Sequence, residues 1–98
     1  MHGVKRLLWW LLGGSSGGMN RGRILEVLWD QPMNANELSK SLNLDYKTVR
    51  HHLQILEKNN LITHTGSGYG MMYFPSDLLE KNQNFYLEIW GKIGKKHK

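Results

Sequence analysis

Lys47, Arg50, His51 and Gln54 recur at i, i+3, i+4 and i+7, the spacing that lines side chains along one helix face. Their chemistry is that of base-edge recognition. Arginine and lysine match the acceptors of guanine, and glutamine matches the donor and acceptor of adenine. The opposite face carries Val49, Leu53 and Leu56, a core stripe. Arg50 and Gln54 are the candidates for direct base contact. Lys47 and Thr48 can meet base or phosphate, and Tyr46 can offer its hydroxyl to a phosphate. His52, beside the core stripe, reads as structural and His51 as exposed. The competing interpretation of such a stripe is an ordinary solvated face, so what positions it decides between them.

The segment before the stripe reads as a short helix. Asn34 is its cap, and Glu37 three residues on completes a capping box. Ala35, Leu38 and Leu42 are its buried stripe. The amides of Asn36 and Glu37 at its start are candidate phosphate ligands. Asn43-Leu44-Asp45 is the turn, with Asp45 capping a helix that runs from Tyr46 to about Asn59. Asn59-Asn60 ends it. Leu61–Thr65 and Met71–Phe74 read as two strands, joined by Gly66-Ser67-Gly68-Tyr69-Gly70. This hairpin offers Thr63, His64, Thr65, Ser67 and Tyr69 to a sugar-phosphate backbone or minor groove; alternatively, it only closes the domain. Its tip has no arginine or lysine.

The flanks are apolar. Val4, Leu7, Leu8 and Leu11 follow a helical period, and Trp9 and Trp10 widen the apolar face around most of the circumference. GGSSGG then reads as a flexible connector, followed by a helix over roughly Arg21–Asp30 with Ile24, Val27 and Leu28 as its stripe. Pro32 stops it. After Pro75, Ser76 caps a last helix with a broad surface of Leu78, Leu79, Phe85, Tyr86, Ile89 and Trp90. Helices this apolar want burial on more than one side: either they pack on their own domain alone or, the favoured reading, they also pack on a second subunit. The expected dimer interface is Val4, Leu7, Leu8, Trp9 and Leu11 with Phe85, Tyr86, Ile89 and Trp90. The fold class is mainly α with a small β-hairpin: a winged helix-turn-helix with flanking N- and C-terminal helices. With 98 residues the chain reads as one domain. Residues 1–18 form the N-terminal helix and connector, 19–75 the helix-turn-helix and wing, and 76–98 the last helix and basic tail.

Composition narrows the function. There is no cysteine, which removes disulfides, thiolate catalysis and cysteine-bound zinc. The net charge is +5. It comes from the ends, since residues 24–91 hold five basic and eight acidic residues. This favours a polyanionic partner without locating the contact. Lys5-Arg6 before Leu7–Leu12 resembles an export signal, but the apolar run is far below the roughly 20 residues of a membrane span. The expectation is a cytoplasmic protein with no membrane partner. GGSSGG lacks the spacing of a phosphate-binding glycine loop. Adjacent His51 and His52 diverge by about 100° on a helix and do not pair on a metal. No acid pair or nucleophile–histidine spacing suggests an enzyme, and no cofactor is implied.

NRGRILEVLWDQPMNANELSKSLNLDYKTVRHHLQILEKNNLI followed by THTGSGYGMMYF resembles the winged helix-turn-helix transcription regulators of the ArsR-like type, notably their small prokaryotic and archaeal members. The resemblance covers about residues 20–75. It implies double-stranded DNA as partner, with Tyr46–Asn59 in the major groove and the wing Thr63–Tyr73 on the backbone or minor groove. It also implies a homodimer through the flanking helices. Members of that family often sense metals through cysteines on the first helix of the unit. That helix, Asn34–Leu42, has none here, so a thiolate sensor is excluded. A site from His2, Glu88 and His97 is an alternative that no spacing supports. The alternative function is a winged-helix protein-interaction module, with the aromatic ends as its working surface.

Overall fold

The computed structural model describes residues 3–94, the Tyr69 side chain excepted. Six helices and a two-stranded hairpin follow in the order α1 (Gly3–Gly13), α2 (Gly18–Asp30), α3 (Ala35–Leu42), α4 (Tyr46–Lys58), β1 (Ile62–Thr65), β2 (Met72–Pro75), α5 (Asp77–Lys81) and α6 (Gln83–Gly94). A 3-10 turn at Gly68–Gly70 lies inside the hairpin. This is the mainly helical winged helix-turn-helix expected.

The helix-turn-helix is built by caps. Asn34 accepts from the Glu37 amide at 2.8 Å, and the Glu37 carboxylate accepts from the Asn34 amide at 2.9 Å. At the other end of α3, Asn43 takes a left-handed conformation with φ 54°, which asparagine tolerates. Two side chains close that turn: the Ser39 hydroxyl donates to the Leu44 carbonyl, and Arg23 donates to the Leu42 carbonyl. Asp45 caps α4 through the Lys47 amide at 3.1 Å. Asn60, with φ 63°, turns the chain from α4 toward the wing.

The strands pair antiparallel with Ile62 opposite Pro75 and His64 opposite Tyr73. Tyr73 also bridges to Met33, so the wing is tied to the α2–α3 link. The core is the meeting of Ile24, Leu25 and Leu28 of α2 with Leu38, Val49, Leu53 and Leu56 of the helix-turn-helix, all essentially inaccessible. α1 extends this core, lying against both α2 and α6.

Three expectations need correction. GGSSGG is no loose connector. α1 runs through Gly13 and α2 begins at Gly18, three residues ahead of the expected start. The turn between them is hydrogen-bonded at Ser15 and Ser16 to the Arg21 guanidinium. Composition suggested flexibility; a buried cation supplied the order. The last helix is two. Asn82 breaks it, its side-chain amide donating to the Leu78 carbonyl at 2.8 Å, a local bond that competes with helix continuation.

The third correction concerns the dimer surface. Leu8, Leu11, Tyr86 and Ile89 are buried within one chain, because α1 and α6 pack on each other and on α2. They have no surface left for a partner. Val4, Leu7, Phe85 and Trp90 are half-buried, and Trp9 is exposed. Trp10 and Leu87, outside the expected interface, are each 57% exposed.

Candidate nucleic-acid interface

On α4 the expected division holds by burial. Val49, His52, Leu53 and Leu56 face inward, while Tyr46, Lys47, His51 and Gln54 are exposed and Thr48 and Arg50 half-buried. The helix is fixed by its cap, by the turn from α3 and by the wing, so the stripe is presented on a rigid support.

Arg50 is held more firmly than the others. Its Nη1 donates to the Tyr73 hydroxyl at 3.1 Å. Tyr73 is buried on β2. The two line a recess of about 270 Å³ with Asn34, Asn36, Tyr46 and Gly68, between the starts of α3 and α4 and the wing. Sequence reasoning missed Tyr73. The alternation along Met71–Phe74 marks it as inward-facing, but nothing in it names Arg50 as partner.

Other expected contacts are placed differently. The Glu37 amide is consumed by the Asn34 cap; the Asn36 amide has no partner among the described residues. His64 turns back onto α4, where it pairs with Glu57, and its ring lies 5.7 Å from that of Tyr73. It braces the wing instead of facing outward, since the neighbouring carboxylate is a better partner than solvent. Ser67 is exposed at the wing tip. The Tyr69 side chain, His2 and His97 lie outside the described residues. Glu88 pairs with Lys5 and Lys92. Among the described residues no cluster of three metal-ligating side chains occurs.

Two of the basic residues near the N-terminus prove structural. Arg23 closes the α3–α4 turn. Arg21 is 3% exposed and donates to the Leu11 carbonyl, to Ser15, to the Ser16 carbonyl and to His52. Burial lowers its pKa. His52 is buried, as expected for a structural residue. Burial first, then the charges of Arg21 and His51, hold it below the ordinary histidine range.

Residues 19–64 match the family described as bacterial regulatory protein, arsR family. Residues 19–64, just under half of the chain, are thus similar to the ArsR-family helix-turn-helix domain. The match to the ArsR family covers α2 through most of β1, the part of the chain that presents the stripe. An uncharacterised HTH-type transcriptional regulator of Methanocaldococcus jannaschii is 41% identical over 59 residues, 59% of this chain. The chain spans about 15% of the length of that relative. Among solved structures, reduced HlyU of Vibrio cholerae has a TM-score of 0.66 at 22% identity, covering 88% of this chain and 87% of its own. A homodimeric winged helix-turn-helix DNA-binding domain of Mycobacterium bovis, a possible ArsR-family regulator, has a TM-score of 0.63 at 16% identity, covering 98% and 86%. At these identities the likeness is one of fold. The ArsR family is one of regulators, not enzymes. Among the described residues no helix is long and apolar enough to cross a membrane.

Proposed function

We propose that this ArsR-like domain binds double-stranded DNA sequence-specifically as a homodimer and regulates transcription in the cytoplasm. The observation that carries the reading is the α4 stripe. Lys47, His51 and Gln54 are exposed and Arg50 is aimed by the wing, on a helix that Asp45 caps and the core locks. In this reading α4 enters the major groove, with Arg50 and Gln54 on bases and Lys47, Thr48, Tyr46 and the Asn36 amide on or near phosphates. The wing tip at Ser67 lies over the backbone.

The dimer is proposed through α1 and α6, using what burial leaves available: Trp9 and Leu87, with half-buried Val4, Leu7 and Phe85. The homodimeric state of the M. bovis domain supports dimer formation. Two recognition helices then fall about 34–36 Å apart, one turn of DNA.

Duplex binding followed by fluorescence anisotropy across salt concentrations tests the reading. Specific binding that weakens steeply with salt, as released counterions require, supports it. Binding carried by residues 92–98 alone, and indifferent to the α4 stripe, would point to the protein-interaction module instead.

A further inference from the structure

We propose that the recess between the α1–α2 turn and the middle of α4 is a binding site for a small oxyanion, with phosphate the chemistry it fits best. The recess has a volume of about 450 Å³ and is lined by Ser15, Ser16, Arg21, His51 and His52, with Trp10 at its rim. It lies apart from the recess beside Arg50 and needs nothing from the DNA-binding reading.

Charge is the first argument. Arg21 is almost wholly buried, yet each group it bonds is neutral: two carbonyls, a hydroxyl and an imidazole. None of the ion pairs among the described residues includes it. A buried guanidinium without a counter-charge is costly. No carboxylate lines the recess, and a cation would meet Arg21 at its floor.

Hydrogen bonding is the second. An arginine can only donate. The Arg21 Nη1 contact at 3.2 Å therefore requires His52 Nδ1 to accept, which puts the imidazole proton on Nε2. That N–H has no protein partner among the described residues and is open to the solvent of the recess, since no buried side-chain nitrogen or oxygen lacks a partner. An oxyanion in the recess would accept from it in place of water. One Nη1 hydrogen of Arg21 also remains, and the exposed Ser16 hydroxyl and His51 stand at the mouth. Several oxygens on one centre, as in phosphate, suit these divergent donors better than a spherical halide does. Gly17 holds the turn close: it has φ 82°, and a Cβ there would collide with the His52 ring.

Binding is linked to a proton. The charged groups facing His52 are Arg21 from α2 and His51 on its own helix. The α1–α2 turn and α1 contribute Ser15, Ser16, Gly17 and Trp10 to the recess, none of them charged. Both charges oppose protonation of His52, and an anion in the recess offsets them. His51 also belongs to the exposed stripe of α4. An anion at this position therefore touches the recognition helix, whether it is free phosphate or a phosphate of the nucleic-acid backbone.

The test is NMR of the imidazole signals of His51, His52 and His64 in the whole chain, at several pH values. Inorganic phosphate is titrated against sodium chloride of equal ionic strength, and a short duplex is then added in chloride alone. Expected is a saturable response of His52, with its pKa rising, His51 following and His64 unmoved. Response to inorganic phosphate identifies a free anion; response to the duplex alone identifies a backbone phosphate. Arg21→Met should abolish saturation. Should that variant fail to fold, Ser16→Ala on the exposed turn should weaken binding about tenfold or more, as expected for loss of a hydrogen bond to a charged acceptor. A His52 signal that chloride moves as much as phosphate, or that neither phosphate source moves, overturns the proposal.

Discussion

Arg50 of the recognition helix donates from Nη1 to the hydroxyl of Tyr73 in the wing at 3.1 Å. Tyr73 cannot drift to follow it. Its backbone exchanges hydrogen bonds with Met33 in both directions, at 2.8 and 3.2 Å. The wing therefore sets the direction of an arginine that it does not carry. Tyr73→Phe keeps the ring and removes the acceptor. It should cost about 0.5–1.5 kcal/mol in stability and reduce discrimination at the base pair Arg50 contacts. Competition binding and thermal unfolding read the two effects separately; discrimination unchanged from the parent would show that the contact does not aim Arg50.

Arg50 and Lys47 should fail in different ways. Arg50→Ala is expected to cost about 1–3 kcal/mol on the preferred duplex and relax selectivity at one position. Lys47→Ala should weaken all duplexes alike and lower the salt slope by about one. A uniform loss with Arg50→Ala would reassign that residue to the phosphates.

The α1–α2 turn predicts an intolerant glycine. A Cβ at Gly18 would collide with the backbone carbonyl of Leu12, and a backbone cannot move aside as a side-chain tip can. Alanine favours a helix by about 1 kcal/mol over glycine, yet Gly18→Ala should destabilise by about 1–3 kcal/mol through overpacking. Chemical denaturation measures the sign. A stabilised Gly18→Ala would mean that α1 does not approach α2 this closely.

Leu87 is the large apolar side chain that α6 leaves most exposed. Burying a leucine contributes about 1.5–3 kcal/mol. If it lies in the dimer interface, Leu87→Lys should raise the dissociation constant by about tenfold or more, without lowering the stability of the separated chain. Sedimentation velocity over a concentration series reports this. An unaltered dimer would move the interface off this face of α6.

His52 gives the fold a pH dependence of defined sign. Its pKa in the fold is lowered, by burial first and then by Arg21 and His51. The unfolded chain takes up this proton near the ordinary value of about 6.5, and the folded chain only at lower pH. Its contribution is thus fully present above about pH 6.5. It declines as pH falls toward the folded-state pKa and is level below that. The melting temperature should fall over this window, and His52→Gln, which can accept from Arg21 without titrating, should flatten the fall.

Much of this was legible in the sequence because caps and periodicity are local. Asn34 with Glu37, Asp45, and the Val49–Leu53–Leu56 stripe each lie within a few residues of what they control. What was not legible depends on residues far apart in the chain. Arg21 counted only toward the basic charge of the N-terminal end, and nothing local marks it as buried between the α1–α2 turn and α4. Tyr73 found Arg50 across 23 positions, and His64 found Glu57 instead of solvent. Leu8, Leu11, Tyr86 and Ile89 looked like an interface because an apolar helix face does not say whether its partner belongs to the same chain.

Selection of bound duplexes from a random pool at near-physiological salt tests the central claim most directly. A sequence-specific dimer should enrich an inverted repeat with half-sites about ten base pairs apart, and Arg50→Ala should blur one position in each half. Enrichment of no sequence, with binding that vanishes as salt rises, would contradict specific recognition and leave only charge attraction.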